Sequence, residues 1–218
     1  MSATEAEERA QFTLAMRARG INDLTLLRAL ERVPRSLFMP QRFADMATRD
    51  IALPIGCGQT SPPPSTLARM IAALKLSPDD RVCEIGTGTG YCTALIAQLA
   101  GEVVSLERFQ TLAVEASARL QAFGLGNVDV MWRDGFDFHQ SGRRFDKVIL
   151  HGLVEPPAKA FFGLIEGEGT VIAARAGPAR GEQRILRMDV PLEGQVTIAE
   201  LDRTRALRPL EHGLARAL

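Results

Sequence analysis

Long apolar runs, paired cysteines, clustered histidines and an excess of either charge are all missing from this chain of 218 residues. No stretch approaches the roughly 20 apolar residues needed to cross a bilayer. The first residues, Met1 to Glu8, are polar and acidic, the reverse of a secretory leader, so no membrane association is expected. The three cysteines (Cys57, Cys83, Cys92) form no C-x-x-C pair and no even-numbered framework. They read as reduced thiols of a cytoplasmic protein. His139, His151 and His212 lie far apart without metal-ligand spacing, so no metal site is expected. Lys and Arg together balance Asp and Glu to a net charge of zero. The basic residues are spread along the chain, which argues against nucleic-acid binding through bulk electrostatics.

What is present is the composition of one α/β domain, 46% hydrophobic and 24% charged. Glu5–Arg19 reads as an amphipathic helix closed by Gly20. A second helix starts with Asn22 or Asp23 as its cap, carries Leu24, Leu27, Leu30 and Val33, and stops at Pro34. Residues 34–64 hold Pro34, Pro40, Pro54 and the run Pro62-Pro63-Pro64, so long regular elements are not expected there. Ser65 or Thr66 then caps a helix reaching Leu76.

From Arg81 onward strands and helices alternate. Strands are expected at Val82–Ile85, Val103–Leu106, Val128–Met131, Val148–Leu150 and Thr170–Ala174. Helices fall at Tyr91–Ala100, Gln110–Phe123 and Ala158–Ile165. Arg184–Val190 and Val196–Leu201 read as a hairpin. Such alternation predicts a mostly parallel, Rossmann-like sheet with helices on both faces. Residues 1–64 would then form a cap and lid over a cofactor-binding domain at 65–218. Ligands of such sheets bind beyond the carboxyl ends of the strands, where the strand order reverses.

The most specific local feature is Arg81–Tyr91, where a short strand runs through Glu84 into Gly86, Gly88 and Gly90 and then a helix. Glycines let the turn be tight and let a ligand approach the backbone. Glu107 ends the next strand about 20 residues after Gly86, placed to accept from both ribose hydroxyls. Asp134, followed by Gly135, ends the third strand at the same edge and could accept from an adenine amino group. Each acid alone reads as a solvated strand end; together with the glycine turn they read as an adenosine site. A dinucleotide fingerprint spaces its glycines G-x-G-x-x-G. Here the pattern is E-x-G-x-G-x-G, which resembles the first motif of methyltransferases that use S-adenosylmethionine. Glu84 suits the cationic amino-acid end of that cofactor, through water or by holding the loop.

Several further segments carry a specific resemblance: Met16–Ile21, Arg32-Val33-Pro34-Arg35 with Phe38 and Pro40, Leu53–Thr60, Val104–Arg108, Asp134-Gly135, Phe145-Asp146 and Arg208-Pro209-Leu210. Through them, and above all through P-I-G-x-G-Q-T, the chain resembles a divergent member of the protein-L-isoaspartate O-methyltransferase family over nearly its full length. The resemblance implies a class I methyltransferase fold and S-adenosyl-L-methionine as cofactor. It implies methylation of the displaced α-carboxylate of isoaspartyl residues in damaged proteins. Gln59, Thr60, Glu84, Gly86, Gly88, Gly90, Glu107, Arg108, Asp134 and Gly135 are the expected cofactor residues, and a monomer is expected.

Three departures fall on the substrate side. The family's serine after G-Q-T-x, beside the reacting carboxylate, is Pro62 here, with neither hydroxyl nor backbone N–H. Ser61 is the candidate catalytic residue through a one-residue shift. The small residues usual after the fourth strand are replaced by His151-Gly152-Leu153-Val154-Glu155. His151 reads as a partly buried histidine bonded to backbone, or alternatively as a base or orienting group. Ala206–Leu210 keeps only part of the apolar V-P-L run of the substrate-binding strand. A cofactor-binding paralogue without repair activity, or a methyltransferase with another acceptor, are the competing readings.

Overall fold

The computed structural model describes residues 3–154 and 159–216. Helix α1 (Ala3–Ala18) ends where Gly20 takes a φ of 89°, and α2 (Leu24–Arg32) starts at Asp23. The Asp23 carboxylate accepts the backbone N–H groups of Thr25 and Leu26 at 2.9 and 3.2 Å, satisfying two orphan donors of the first turn. Two short 3-10 turns follow, Arg35–Leu37 and Gln41–Met46. Strands β1 (Leu53–Pro54) and β2 (Thr60–Ser61) then pair antiparallel. Cys57 and Gly58 turn that hairpin with φ of 56° and 65°, and Gln59 N–H donates to Gly56 O at 3.1 Å. Two consecutive positive φ values closed by such a bond make a type I′ turn, the form whose twist matches a hairpin.

Helix α3 (Pro64–Leu74) starts two residues earlier than a Ser65 cap would require, and three earlier than a Thr66 cap would. Pro63 occupies the cap position, and Pro64 begins the helix, where a missing N–H costs nothing. Ser65 lies inside the helix and its N–H donates at 2.9 Å to Asp50 Oδ1, so the cap comes from a distant loop. Asp50 also pairs with Arg19 at 2.6 Å, tying the end of α1 to the start of α3.

The sheet has the order β5-β4-β3-β6-β7-β8-β9. Strands β3 (Arg81–Ile85), β4 (Glu102–Glu107), β5 (Val128–Trp132), β6 (Phe145–Leu153) and β7 (Ile165–Ala176) are parallel. Strands β8 (Gln183–Val190) and β9 (Thr197–Thr204) add antiparallel. The chain runs from β3 to β4 to β5, then returns to the other side of β3 for β6. The reversal at β3 opens the crevice expected of such folds.

Successive strand residues alternate between two cores. Val82, Ile149 and Ile172 face the core shared with α1 to α3, α4 (Tyr91–Ala97) and α5 (Gln110–Ala122). Cys83, Val148, Leu150 and Val171 face a second core containing Phe138, Phe161 and Leu164. The two faces are unequally clothed. Among the described residues the second carries a 3-10 turn (Phe138–Ser141) and the short α6 (Lys159–Phe162). The helix expected over Ala158–Ile165 begins partly outside the described residues and is cut short: beyond Gly163, Ile165 pairs with Phe145 as the start of β7. The fourth and fifth strands are correspondingly longer than the apolar runs Val148–Leu150 and Thr170–Ala174 suggested. Their extra residues gain ladder bonds without being uniformly apolar.

Asp50→Ala should cost about 1–2 kcal/mol, the usual worth of an N-cap. That is a fall of roughly 2–8 °C in Tm for a chain of this size. Asp50→Asn, which keeps the acceptor but not the exposed ion pair, should lose less; thermal unfolding followed by circular dichroism measures both.

Candidate active site

A cavity of about 220 Å³ lies beyond the carboxyl ends of β3, β4, β5 and β6. Its floor is the glycine turn. Gly86 and Gly88 have φ of 94° and 56°, values that side-chain-bearing residues adopt at a cost. Gly86 N–H donates to Leu106 O at 2.8 Å, drawing the turn against the end of β4. Gly88 N–H donates at 2.8 Å to Glu107 Oε2, while Phe109 N–H donates at 3.0 Å to Oε1. Glu107 is thereby oriented through both oxygens and is only 5% exposed. Burial lifts its carboxyl above the ordinary glutamate value, and this outweighs the backbone N–H bonds from Phe109, Gly88 and Arg108 that favour the ionised form.

Asp134 and Gly135 stand on the adjoining wall. Asp134 Oδ1 accepts from Phe136 N–H at 2.9 Å and Oδ2 from Gly213 N–H at 2.5 Å. Gly135 is required by close approach, since a Cβ there would sit 2.5 Å from Ile85 Cγ2. Arg108 lines the cavity, but its guanidinium turns to the C-terminal segment. It pairs with Glu211 and donates through Nε to Gly213 O at 2.9 Å. That segment, with Leu210 and Glu211 on the cavity wall, was not expected among the site residues. The Arg208-Pro209-Leu210 pattern marks its start as a substrate-side segment, but only the fold brings residues 211–213 to Arg108 and Asp134. The apolar wall of Ile55, Phe109 and Leu112 was likewise missed, because each looks like ordinary core.

Two expected cofactor residues lie elsewhere. Gly90 begins α4 and packs on α5, where a Cβ would meet Leu120 at 3.2 Å; it does not line the cavity. Glu84 is fully buried beneath the turn. Its carboxylate accepts the hydroxyls of Ser105, at 2.6 Å, and Thr93, and His151 Nε2 lies 2.9 Å from Oε1. A carboxylate only accepts, so the imidazole N–H is the donor. Glu84 therefore holds β3, β4, β6 and α4 together rather than meeting a ligand, and His151 is bonded to a side chain rather than to backbone. Cys92 completes this cluster, with potential ligand atoms of all three residues within 4.8 Å. Burial pushes the Cys92 thiol well above its ordinary value, so it stays protonated.

Gln59, Thr60 and Ser61 roof the cavity from the β1–β2 hairpin. Ser61 is buried, and its Oγ accepts from Arg35 Nη2 at 3.2 Å. Arg35 also donates to Pro62 O at 3.0 Å and to the carbonyls of Ala47, Arg49 and Ile51 at 3.4 Å. Burial pulls its pKa down to about 10, so it remains a cation near neutrality. Ser61 is thus a lid-anchoring residue, with its hydroxyl engaged by Arg35.

The sequence profile described as "Protein-L-isoaspartate(D-aspartate) O-methyltransferase" matches residues 7–208. A protein-L-isoaspartate O-methyltransferase of Rhodopseudomonas palustris (strain BisA53) is 40% identical over 211 residues, covering 97% of both chains. Another from Azorhizobium caulinodans is 38% identical over 220 residues and covers all of both. Among solved structures, a Plasmodium falciparum chain provisionally assigned to the same enzyme, in complex with S-adenosyl-L-homocysteine, superposes with a TM-score of 0.77. It is 16% identical and covers 92% of this chain and 97% of its own. A second structure of a protein-L-isoaspartate O-methyltransferase gives 0.79 at 22% identity, covering 92% of this chain and 65% of that one.

The raised Glu107 carboxyl links folding to pH. Unfolded, the group has its ordinary value of about 4.5. Between that and the raised folded value the native state holds the extra proton. This contribution to stability is full below the unfolded value and is lost as pH rises through the folded one. Relative to Glu107→Gln, the wild-type protein should lose stability as pH climbs through that acid window; urea unfolding at stepped pH checks it.

Proposed function

Since the chain belongs to the protein-L-isoaspartate(D-aspartate) O-methyltransferase family, we propose that it methylates the α-carboxylate of isoaspartyl residues in proteins, with S-adenosyl-L-methionine as donor. The observation that carries the reading is Glu107, a buried carboxylate fixed by two backbone N–H groups at the mouth of a glycine turn. With both oxygens oriented, its remaining lone pairs suit the paired hydroxyls of a ribose. The cradle fits an adenosine cofactor in two further ways. Gly86 and Gly88 leave the turn without side chains, and Asp134 keeps lone pairs beside Phe136 for an adenine amino group.

When bound, S-adenosylmethionine supplies a methyl group already activated on a positively charged sulfur. The acceptor is a carboxylate, nucleophilic at neutral pH, so the chain needs no general base. What its residues supply is position and dryness. The glycine turn and Glu107 fix the adenosine end. The β1–β2 hairpin, anchored by Arg35, covers the centre of the cavity with Thr60 and Ser61. Ile55 packs close to Gly88, where a Cβ would lie 3.3 Å from its Cδ1, and so seals the hairpin onto the turn.

We place the protein in the cytoplasm as a monomer acting on damaged proteins, without nucleic-acid or membrane partners. Buried thiols at Cys83 and Cys92 suit a reducing compartment. No helix among the described residues is long and apolar enough to cross a membrane.

Purified protein should form base-labile methyl esters on an isoaspartyl peptide and not on its aspartyl isomer. Glu107→Ala should weaken S-adenosylhomocysteine binding at least 10-fold, the loss of about 1.5–3 kcal/mol expected for hydrogen bonds to a charged group. Calorimetric binding without any ester formed would instead favour a paralogue that holds the cofactor and lacks repair activity.

A further inference from the structure

The cations that line the cavity differ in how they are used. Arg108 is spent on Glu211 and the C-terminal backbone. Arg133 stands on the adenosine wall beside Asp134. Arg208 is at the other end, where the hairpin lid faces the segment Leu207–Leu210. It is exposed, its Nε donates to Thr60 Oγ1 at 3.4 Å, and among the described residues it has no carboxylate partner. Its backbone is clamped on both sides. Leu153 N–H donates to Arg208 O at 2.9 Å, and Leu210 N–H donates to Leu153 O at 2.9 Å. One residue earlier, Leu207 exchanges bonds of 2.9 and 3.0 Å with the Gln183 amide. Gly152 lets this segment press onto β6, since a Cβ there would lie 2.6 Å from Leu210 Cγ.

Pro62 gives the lid beside Arg208 neither a hydroxyl nor an N–H. Ser61 Oγ accepts from Arg35 at 3.2 Å, which anchors it in the lid and leaves its own O–H as a neutral donor. A carboxylate entering from this side would meet the hydroxyls of Thr60 and Ser61 and, next to them, a guanidinium with no carboxylate partner among the described residues. We propose that Arg208, with Thr60, grips the acceptor carboxylate through a charged donor that Pro62 cannot provide. The proposal rests on the carboxyl-methylating reading above. A guanidinium offers a planar fork matched to a carboxylate. It also stabilises the charged carboxylate more than the neutral ester formed from it. Its contribution therefore belongs to substrate binding and release of product, with little in the methyl-transfer barrier itself.

Steady-state methylation of an isoaspartyl peptide by wild type, Arg208→Gln and Arg208→Lys tests this. Arg208→Gln should raise the peptide KM about 10- to 100-fold, the range for losing a charge-assisted bond, with kcat changed far less. Arg208→Lys should fall between. A second arm needs no turnover: with S-adenosylhomocysteine bound, wild type should bind the carboxylate peptide more tightly than its α-carboxamide analogue, and Arg208→Gln should bind the two alike. An unchanged KM, or undiminished preference for the carboxylate in the variant, overturns the proposal. So does a parallel loss of S-adenosylhomocysteine affinity, which would make Arg208 a lid latch. Wild type that forms no ester overturns the functional reading instead, and the binding arm still decides Arg208.

Discussion

The bond from Gly88 N–H to the Glu107 carboxylate joins the ends of two parallel strands, and the cavity exists in its present shape because of it. β3 and β4 are held in register by ladder bonds as far as Ile85 and Leu106. Beyond that point the chain of β3 must turn sharply without losing contact with β4. Gly86 and Thr87 N–H groups both reach Leu106 O, and Gly88 passes to the side chain of the next residue. A backbone donor satisfied by a carboxylate in this way leaves the carboxylate ionisable, oriented and enclosed. The acid that would bind a ribose is thus the same group that sets the curvature of the turn beneath it. Burial works against its charge, and the backbone N–H bonds offset that cost in part; the hydroxyls of a ligand would offset it further.

Arg35 does for the lid what Glu107 does for the floor. Its guanidinium gathers carbonyls from Ala47, Arg49, Ile51 and Pro62 and the Ser61 hydroxyl. These belong to a stretch with almost no regular secondary structure, whose backbone acceptors have few ladder partners. One cation therefore replaces a ladder of hydrogen bonds and fixes the N-terminal segment to the hairpin. The proline run that follows adds stiffness. Pro63 and Pro64 start α3 without the N–H donors that a helix end would leave unpaired, and Asp50 accepts the Ser65 N–H from across the lid.

Much of this was legible beforehand, for identifiable reasons. Alternation of apolar residues located β3 and β4 to within a residue, because both strands are buried on both faces and read as short apolar runs. The spacing of Gly86, Gly88, Glu107 and Asp134 placed three strand ends around one site, since the distance along a β-α-β unit is nearly fixed. The extent of β6 and β7 was not legible: Asp146, Lys147, Glu166 and Glu168 are polar yet lie within strands. For Glu84 the two readings, toward the cofactor or holding the loop, stay open in the sequence because a carboxylate before a glycine turn gives no sign of which way it points. It points inward, to Thr93, Ser105 and His151, and nothing local in those three residues reveals that they converge. Arg35 and Leu210 fall in segments that carry the resemblance, but what each one touches, and the approach of residues 211–215 to the site, comes only through long-range folding.

The inward Glu84–His151 pair also clarifies how the substrate side tolerates its departures. A histidine beside the reacting groups would suggest base catalysis if its acceptor had a proton to lose. A carboxylate has none at neutral pH, so an imidazole committed to Glu84 takes nothing from the chemistry. Its bulk fills the end of β6 under the glycine turn, where Gly86 would bring a Cβ within 3.4 Å of its own. Loss of a hydroxyl at Pro62 follows the same logic. That hydroxyl would have positioned the nucleophile without activating it, and a positioning donor can be moved to another strand if it reaches the same oxygen. Arg208, held by Leu153 through its carbonyl and touching Thr60, stands on a segment after β9 from which such a donor could reach.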